Sequence, residues 1–108
     1  MIVSEQQIEQ EILDAIAQNR VMLFMKGTPD MPRCGFSAQT VACLRDADAQ
    51  FAAMDILPDP RIRQTLSAHS GWPTIPQLFI DGQLVGGCDI VTELHESGQL
   101  RELVKAAA

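Results

Sequence analysis

Apolar positions along the chain change their spacing from segment to segment, and each change marks an element. Ile8, Ile12, Leu13 and Ile16 recur three and four residues apart, the spacing that lines one face of a helix. Ser4 followed by Gln7 makes a capping box, so a helix is predicted over 4–19, ending at Asn19. "VMLFMK" (21–26) is an apolar run without alternation, as in a strand buried on both faces. "GTPDMPR" (27–33) holds one Gly and two Pro and reads as a loop. Helical spacing returns from Gly35 to about Ala49, with Val41 and Leu44 facing inward, and "FAAMDI" (51–56) is a second strand. Asp59 before Pro60 opens a helix that runs through Leu66 to about Ser70, with Gly71 at its end. "QLFID" (77–81) and "QLV" (83–85), joined by Asp81-Gly82, form a hairpin that Gly86 and Gly87 close. Two short helices follow, "DIVTELHES" and "LRELVKAAA", split by Gly98.

This order defines an architecture. A strand that returns through a helix runs parallel to its predecessor, whereas a two-residue hairpin forces antiparallel pairing. The sheet is therefore expected to be mixed and four-stranded, with helices on both faces, in a single α/β domain over residues 1–108. Ligands of such sheets sit beyond the carboxyl ends of parallel strands. Cys34 follows the first strand at that edge.

Composition narrows the partners. The chain has 108 residues, 46 % hydrophobic and 5 % aromatic, so its core is aliphatic. A formal charge of −6 disfavours nucleic acid and anionic membrane, which both reward clustered Lys and Arg. The N-terminal "MIVSEQQIEQ" lacks the basic and apolar regions of a secretory signal, no stretch approaches a membrane span, and a cytoplasmic location is expected. Three cysteines, an odd number, argue in a reducing compartment for reactive or buried thiols rather than a disulfide framework.

The thiols divide by position. In "MPRCGFSAQT" Ser37 stands where a C-x-x-C motif has its second cysteine. Cys34 at a helix N-terminus feels the positive end of the helix dipole, and Lys26 and Arg33 add nearby charge, so its pKa is expected below the free value. Cys43, nine residues along the same predicted helix, lies half a revolution away and is read as a core residue. Cys88 enters another helix after Gly86-Gly87, and its role is open at this level. Trp72 is read as packing, and His69 and His95 as surface residues without zinc-like spacing to any cysteine.

"MKGTPDMPRCGFS" and "WPTIPQLFIDGQLVGGCDI" together resemble the monothiol glutaredoxins of the CGFS type, over about residues 5–104. The resemblance implies a thioredoxin-like fold and a groove beside Cys34 that binds glutathione, which brings the missing second thiol from outside. Carried over, Lys26 and Arg63 resemble the positions that hold the tripeptide's carboxylates, with Arg61 the less suited neighbour. Thr74-Ile75-Pro76 resembles the cis-proline segment, in which Ile75 offers its N–H and C=O to the cysteinyl part as an added strand. Gly86 and Gly87 allow close backbone approach, and Cys88, by its main-chain N–H, and Asp89, by its carboxylate, match the pair that meets the γ-glutamyl end. The bland alternative for Asp89 is the N-cap of its helix. Ile75, often aromatic or Val in the pattern, and Arg33 are departures that leave backbone pairing intact.

The resemblance also implies a [2Fe-2S] cluster. Such a cluster takes four ligands, and one chain places a single thiolate in the site, so two chains and two glutathiones complete the set. The implied assembly is a cluster-bridged homodimer that passes its cluster to apo-proteins, with mixed dimers with BolA-like proteins as a further implication. The competing reading is a glutathione-dependent thiol-disulfide oxidoreductase, in which Cys34 attacks a glutathionylated protein and a second glutathione, or Cys88, resolves it.

Overall fold

The computed structural model describes residues 3–105. Its axis is strand β1 (Val21–Met25), buried at every position. β1 pairs in parallel with β2 (Ala52–Asp55), Leu23 opposite Ala53, and antiparallel with β3 (Gln77–Ile80), Leu23 opposite Leu78. β3 pairs antiparallel with β4 (Gln83–Gly86), so the order across the sheet is β2-β1-β3-β4, mixed as expected. The hairpin turn has φ +52° at Asp81 and +78° at Gly82, the left-handed pair whose twist matches that of the flanking strands.

Because β1 side chains alternate faces, they feed two cores. Val21, Leu23 and Met25 join Leu78 and Ile80 beneath α2 (Gly35–Asp46), α4 (Cys88–Glu96) and α5 (Gln99–Val104). Met22, Phe24 and Phe79 pack under α1 (Glu5–Gln18) and α3 (Pro60–Ser70), with Phe24 edge-on to Phe79 at 5.7 Å between ring centres. Helices therefore cover both faces, as the element order requires.

The helix ends follow local chemistry. Ser4 caps α1 through a complete capping box with Gln7. Asp59 caps α3 by accepting the Arg61 N–H at 2.9 Å, and Gly71 leaves it at φ +72°. α2 stops at Asp46, short of the predicted Ala49. Asp48 adopts φ +57°, and the Ala49 N–H turns back to the Leu44 carbonyl at 3.0 Å, which redirects the chain toward β2. α5 is held from outside: Arg20 donates to the Leu103 and Val104 carbonyls at 2.9 and 3.1 Å. The predicted continuation of that helix over 106–108 lies outside the described residues. No helix among the described residues is long and apolar enough to cross a membrane.

Candidate functional site

The thiol is delivered by a loop pinned at its base. Past the end of β1, the Lys26 N–H donates to Ser37 Oγ at 3.1 Å and the Gly27 N–H to Asp55 Oδ1 at 2.9 Å. The chain then folds back on itself, and the Arg33 N–H donates to the Lys26 carbonyl at 2.9 Å. Gly27 sits at φ +87°, and a Cβ there would collide with the Met31 carbonyl oxygen, so the tight return requires glycine. Cys34 emerges as the extended N-cap of α2.

That position sets its acidity. The Cys34 thiol is held below its ordinary value, first by the Ser37 N–H, against some burial, then by the Phe36 N–H, the Lys26 charge and the Ser37 hydroxyl. The uncharged sulfur makes no side-chain capping hydrogen bond. The two helix amides act on the thiolate, the form with charge to attract them. Lys26 supplies the cation of the sequence expectation, whereas Arg33 enters through its main-chain N–H. Ser37 is fully buried, with its hydroxyl shared between the Lys26 amide and the sulfur.

Beside the thiol runs a groove of about 370 Å³ between the segment before β3 and the start of α4. Trp72, Thr74, Ile75 and Pro76 form one wall, and Gly87, Cys88, Asp89 and Ile90 the other. The Ile75–Pro76 peptide bond is cis, as the resemblance implied. A Cβ on Gly87 would lie 3.2 Å from the Pro76 carbonyl and 3.3 Å from Trp72 Nε1, so the walls approach closely because position 87 has no side chain. A second cleft, between α2 and α4, contains Cys34 and shares Phe36, Cys88 and Asp89 with the first.

The remaining candidates fall around these clefts. Lys26 is half-buried at the end of β1 and acts on the sulfur. Arg63 is exposed on α3, with Nη2 3.3 Å from the Pro73 carbonyl. Arg61 is engaged by Asp59 at 2.7 Å. Gly87, not Asp89, is the N-cap of α4; Asp89 lies exposed in the first turn, where the helix dipole favours its charge. Cys88 is half-buried, its Sγ 3.9 Å from Thr92 Oγ1. Cys43 is a core residue, as expected, and burial pushes its thiol up. It sits below the second cleft: its sulfur accepts from Gln39 Nε2 at 3.6 Å. His95 is not the free surface residue expected; it is half-buried and 3.0 Å from Asp46 Oδ2 across the α2–α4 contact.

Four side chains have places in the site that the sequence reading did not give them. Phe36 is 63 % exposed beside the thiol and lines both clefts. Ser37 was noted only as a missing cysteine. Trp72 lines the groove as well as packing, and its Nε1 is buried without a hydrogen-bond partner among the described residues. Gln77 is fully buried at the start of β3. Phe36 alone had a sequence signal, an aromatic adjoining the Cys-Gly step in a chain with few aromatics.

Comparison with known proteins settles the ancestry. The sequence profile of the glutaredoxin family matches residues 21–85. The chain is 50 % identical over 99 residues to Glutaredoxin 4 of Escherichia coli (strain K12), covering 92 % of this chain and 86 % of that one. This chain belongs to the glutaredoxin family. Among glutaredoxins it is also similar to Probable monothiol glutaredoxin 2 of Rickettsia typhi, 50 % identical over 94 residues, 87 % of this chain and 85 % of the relative. The solution structure of reduced poplar apo GrxS14 superposes with a TM-score of 0.78 at 43 % identity, covering 90 % and 89 % of the two chains. A buckwheat glutaredoxin–glutathione complex shares the fold, with a TM-score of 0.80 at 23 % identity over 93 % and 89 % of the chains. The CGFS glutaredoxin assignment and the thioredoxin-like fold thus hold.

Proposed function

We propose that this glutaredoxin binds glutathione in the groove beside Cys34 and, as a pair of chains, carries a [2Fe-2S] cluster to apo-proteins. The observation that supports this most directly is the Cys34 thiol, acidified at a helix N-cap, in a cleft that joins a groove whose walls offer main-chain groups. The donor set suits a small peptide with two carboxylates and one ammonium. Ile75 presents backbone at the wall, Lys26 and the exposed Arg63 supply positive charge, and Asp89 offers a carboxylate in the first turn of α4. Trp72 Nε1, buried and unpartnered in the same wall, makes the groove floor a place that favours an acceptor.

The cluster is cargo in this reading. Among the described residues no group of three or more His, Cys, Asp or Glu side chains can hold a metal ion. With Cys34, the thiol held below its ordinary pKa, as the one ligand from each chain, two chains and two glutathione sulfurs make the four that a [2Fe-2S] cluster takes. Half of that set is held without covalent attachment to protein, which favours release to an acceptor. In a mixed dimer, a BolA-like partner would supply ligands in place of the second chain.

A second reading follows from the lowered pKa of Cys34. The thiolate attacks the glutathione sulfur of a protein mixed disulfide and expels the protein thiol; a second glutathione then attacks the Cys34–glutathione disulfide, leaving oxidised glutathione. Anaerobic reconstitution with iron, sulfide and glutathione, followed by visible absorption and size exclusion, separates the two. A coloured dimer that forms only with glutathione and is lost in Cys34→Ser is the expected result. A colourless monomer that turns over a glutathione mixed disulfide would replace the carrier reading with the enzymatic one.

A further inference from the structure

The segment 72–74, which leads into the groove wall, has three successive carbonyls held by side chains rather than by backbone. Gln77 Nε2 donates to the Trp72 carbonyl at 3.0 Å and to the Thr74 carbonyl at 3.2 Å, and Arg63 Nη2 reaches the Pro73 carbonyl between them at 3.3 Å. Nε2 also lies 3.4 Å from Ser67 Oγ on α3. Carbonyl oxygens only accept, so the orientation of the amide is fixed with its nitrogen toward the segment. The opposite atom, Gln77 Oε1, is buried without a partner among the described residues. A fully buried position that served packing alone would suit an apolar side chain better than an amide with its acceptor unmatched.

The two tethers differ in kind. Gln77 is fully buried, whereas Arg63 is exposed, and its bond to Pro73 is long and faces solvent. A carboxylate offered to Arg63 would form the stronger, charge-assisted contact and draw the guanidinium toward it. The Arg63 tether is thus the one that can loosen as a ligand binds. The Gln77 bonds do not compete with a ligand.

We propose that Gln77 is a positioning residue for ligand binding: its buried amide, by holding the Trp72 and Thr74 carbonyls, keeps the Ile75 edge and the Trp72 indole in place whether Arg63 stays on Pro73 or turns to the ligand. The proposal rests on the glutathione reading above.

Trp72 is the chain's single tryptophan, so its fluorescence reports this wall without any ligand. Gln77→Met keeps the volume and removes the donor. Acrylamide quenching of Trp72 is expected to rise about twofold, and glutathione affinity by calorimetry to fall about tenfold. Val104→Ala, a distant core change under α5, should leave both within twofold of the parent. Arg63→Met should weaken glutathione binding with quenching unchanged, which separates charge from positioning. If Gln77→Met does not fold, Gln77→Leu, uncharged and without a donor, carries the same comparison. Parental quenching in the Gln77 variant, or glutathione affinity equal to that of Val104→Ala, overturns the proposal. A parent protein that binds no glutathione refutes the function proposed above, and the quenching comparison then decides the positioning role alone.

Discussion

Replacing Ser37 by alanine tests whether the serine of the CGFS motif is a vacant cysteine position or a working part. Its hydroxyl is the acceptor for the Lys26 N–H at 3.1 Å, at the point where β1 passes into the active-site loop. Ser37 itself is fully buried, so little room exists for a replacement acceptor. An amide deprived of its acceptor in such a place costs about 1–3 kcal/mol. At about 4–8 °C per kcal/mol for a domain of this size, the lower half of that range predicts a fall in Tm of about 5–15 °C. The same substitution removes one of the groups that stabilise the Cys34 thiolate, the smallest of them, so the thiol pKa should rise while staying below its ordinary value. The Ser37 and Phe36 amides and Lys26 remain in place. The measurements are calorimetric unfolding and the pH profile of iodoacetamide alkylation at Cys34, resolved from Cys88 by peptide mass. A Tm within about 2 °C of the parent, together with a superimposable alkylation profile, would refute the assignment, because a hydrogen bond of ordinary weight shifts both.

Further expectations concern the fold and the groove. Gly27→Ala should destabilise by more than about 1 kcal/mol, seen in urea unfolding, since φ +87° and the Met31 carbonyl both oppose a side chain. Gly87→Ala should weaken glutathione binding in a titration and lower Tm, because a Cβ would meet the Pro76 carbonyl and Trp72 at 3.2–3.3 Å and force the walls apart. Leu100→Ala, fully buried in α5, should cost about 2–5 kcal/mol in chemical denaturation. The pH dependence has a definite sign. A thiol whose folded pKa lies below its unfolded value of about 9.0 adds stability that is complete above that value and is lost as pH falls through the folded pKa. The stability difference between the parent and Cys34→Ser should therefore grow with alkaline pH; a constant difference in urea midpoints would contradict it. Buried Cys43, shifted upward, is common to both proteins and cancels in the comparison.

What the sequence made legible was what depends on near neighbours in the chain. Periodicity and caps located each helix and strand to within a few residues, and the Gly/Pro loop after β1 placed Cys34 at a helix start. α2 overran in the prediction because alanines at 47 and 49 continue a helical composition, while the stop comes from the left-handed backbone at Asp48. The roles of Ser37 and Gln77 were illegible for different reasons: the partner of Ser37 lies eleven residues away, at Lys26, where only the fold brings the two together, whereas Gln77 holds carbonyls five and three residues back, in an irregular segment that no periodicity describes. Asp89 shows the converse. The N-cap role weighed as its bland alternative falls to Gly87, which leaves the Asp89 carboxylate among the residues lining the clefts.

β1 has a strand on each side, helices over both faces and no residue more than 3 % exposed. Its amides have no route to deuterium short of opening the whole domain, whereas edge strands β2 and β4 can fray individually. The slowest-exchanging strand thus ends one residue before Lys26, and through it the reactive cysteine is hung from the last part of the molecule to unfold. Damage at the periphery, in the hairpin or along α5, should loosen the domain well before it displaces the thiol.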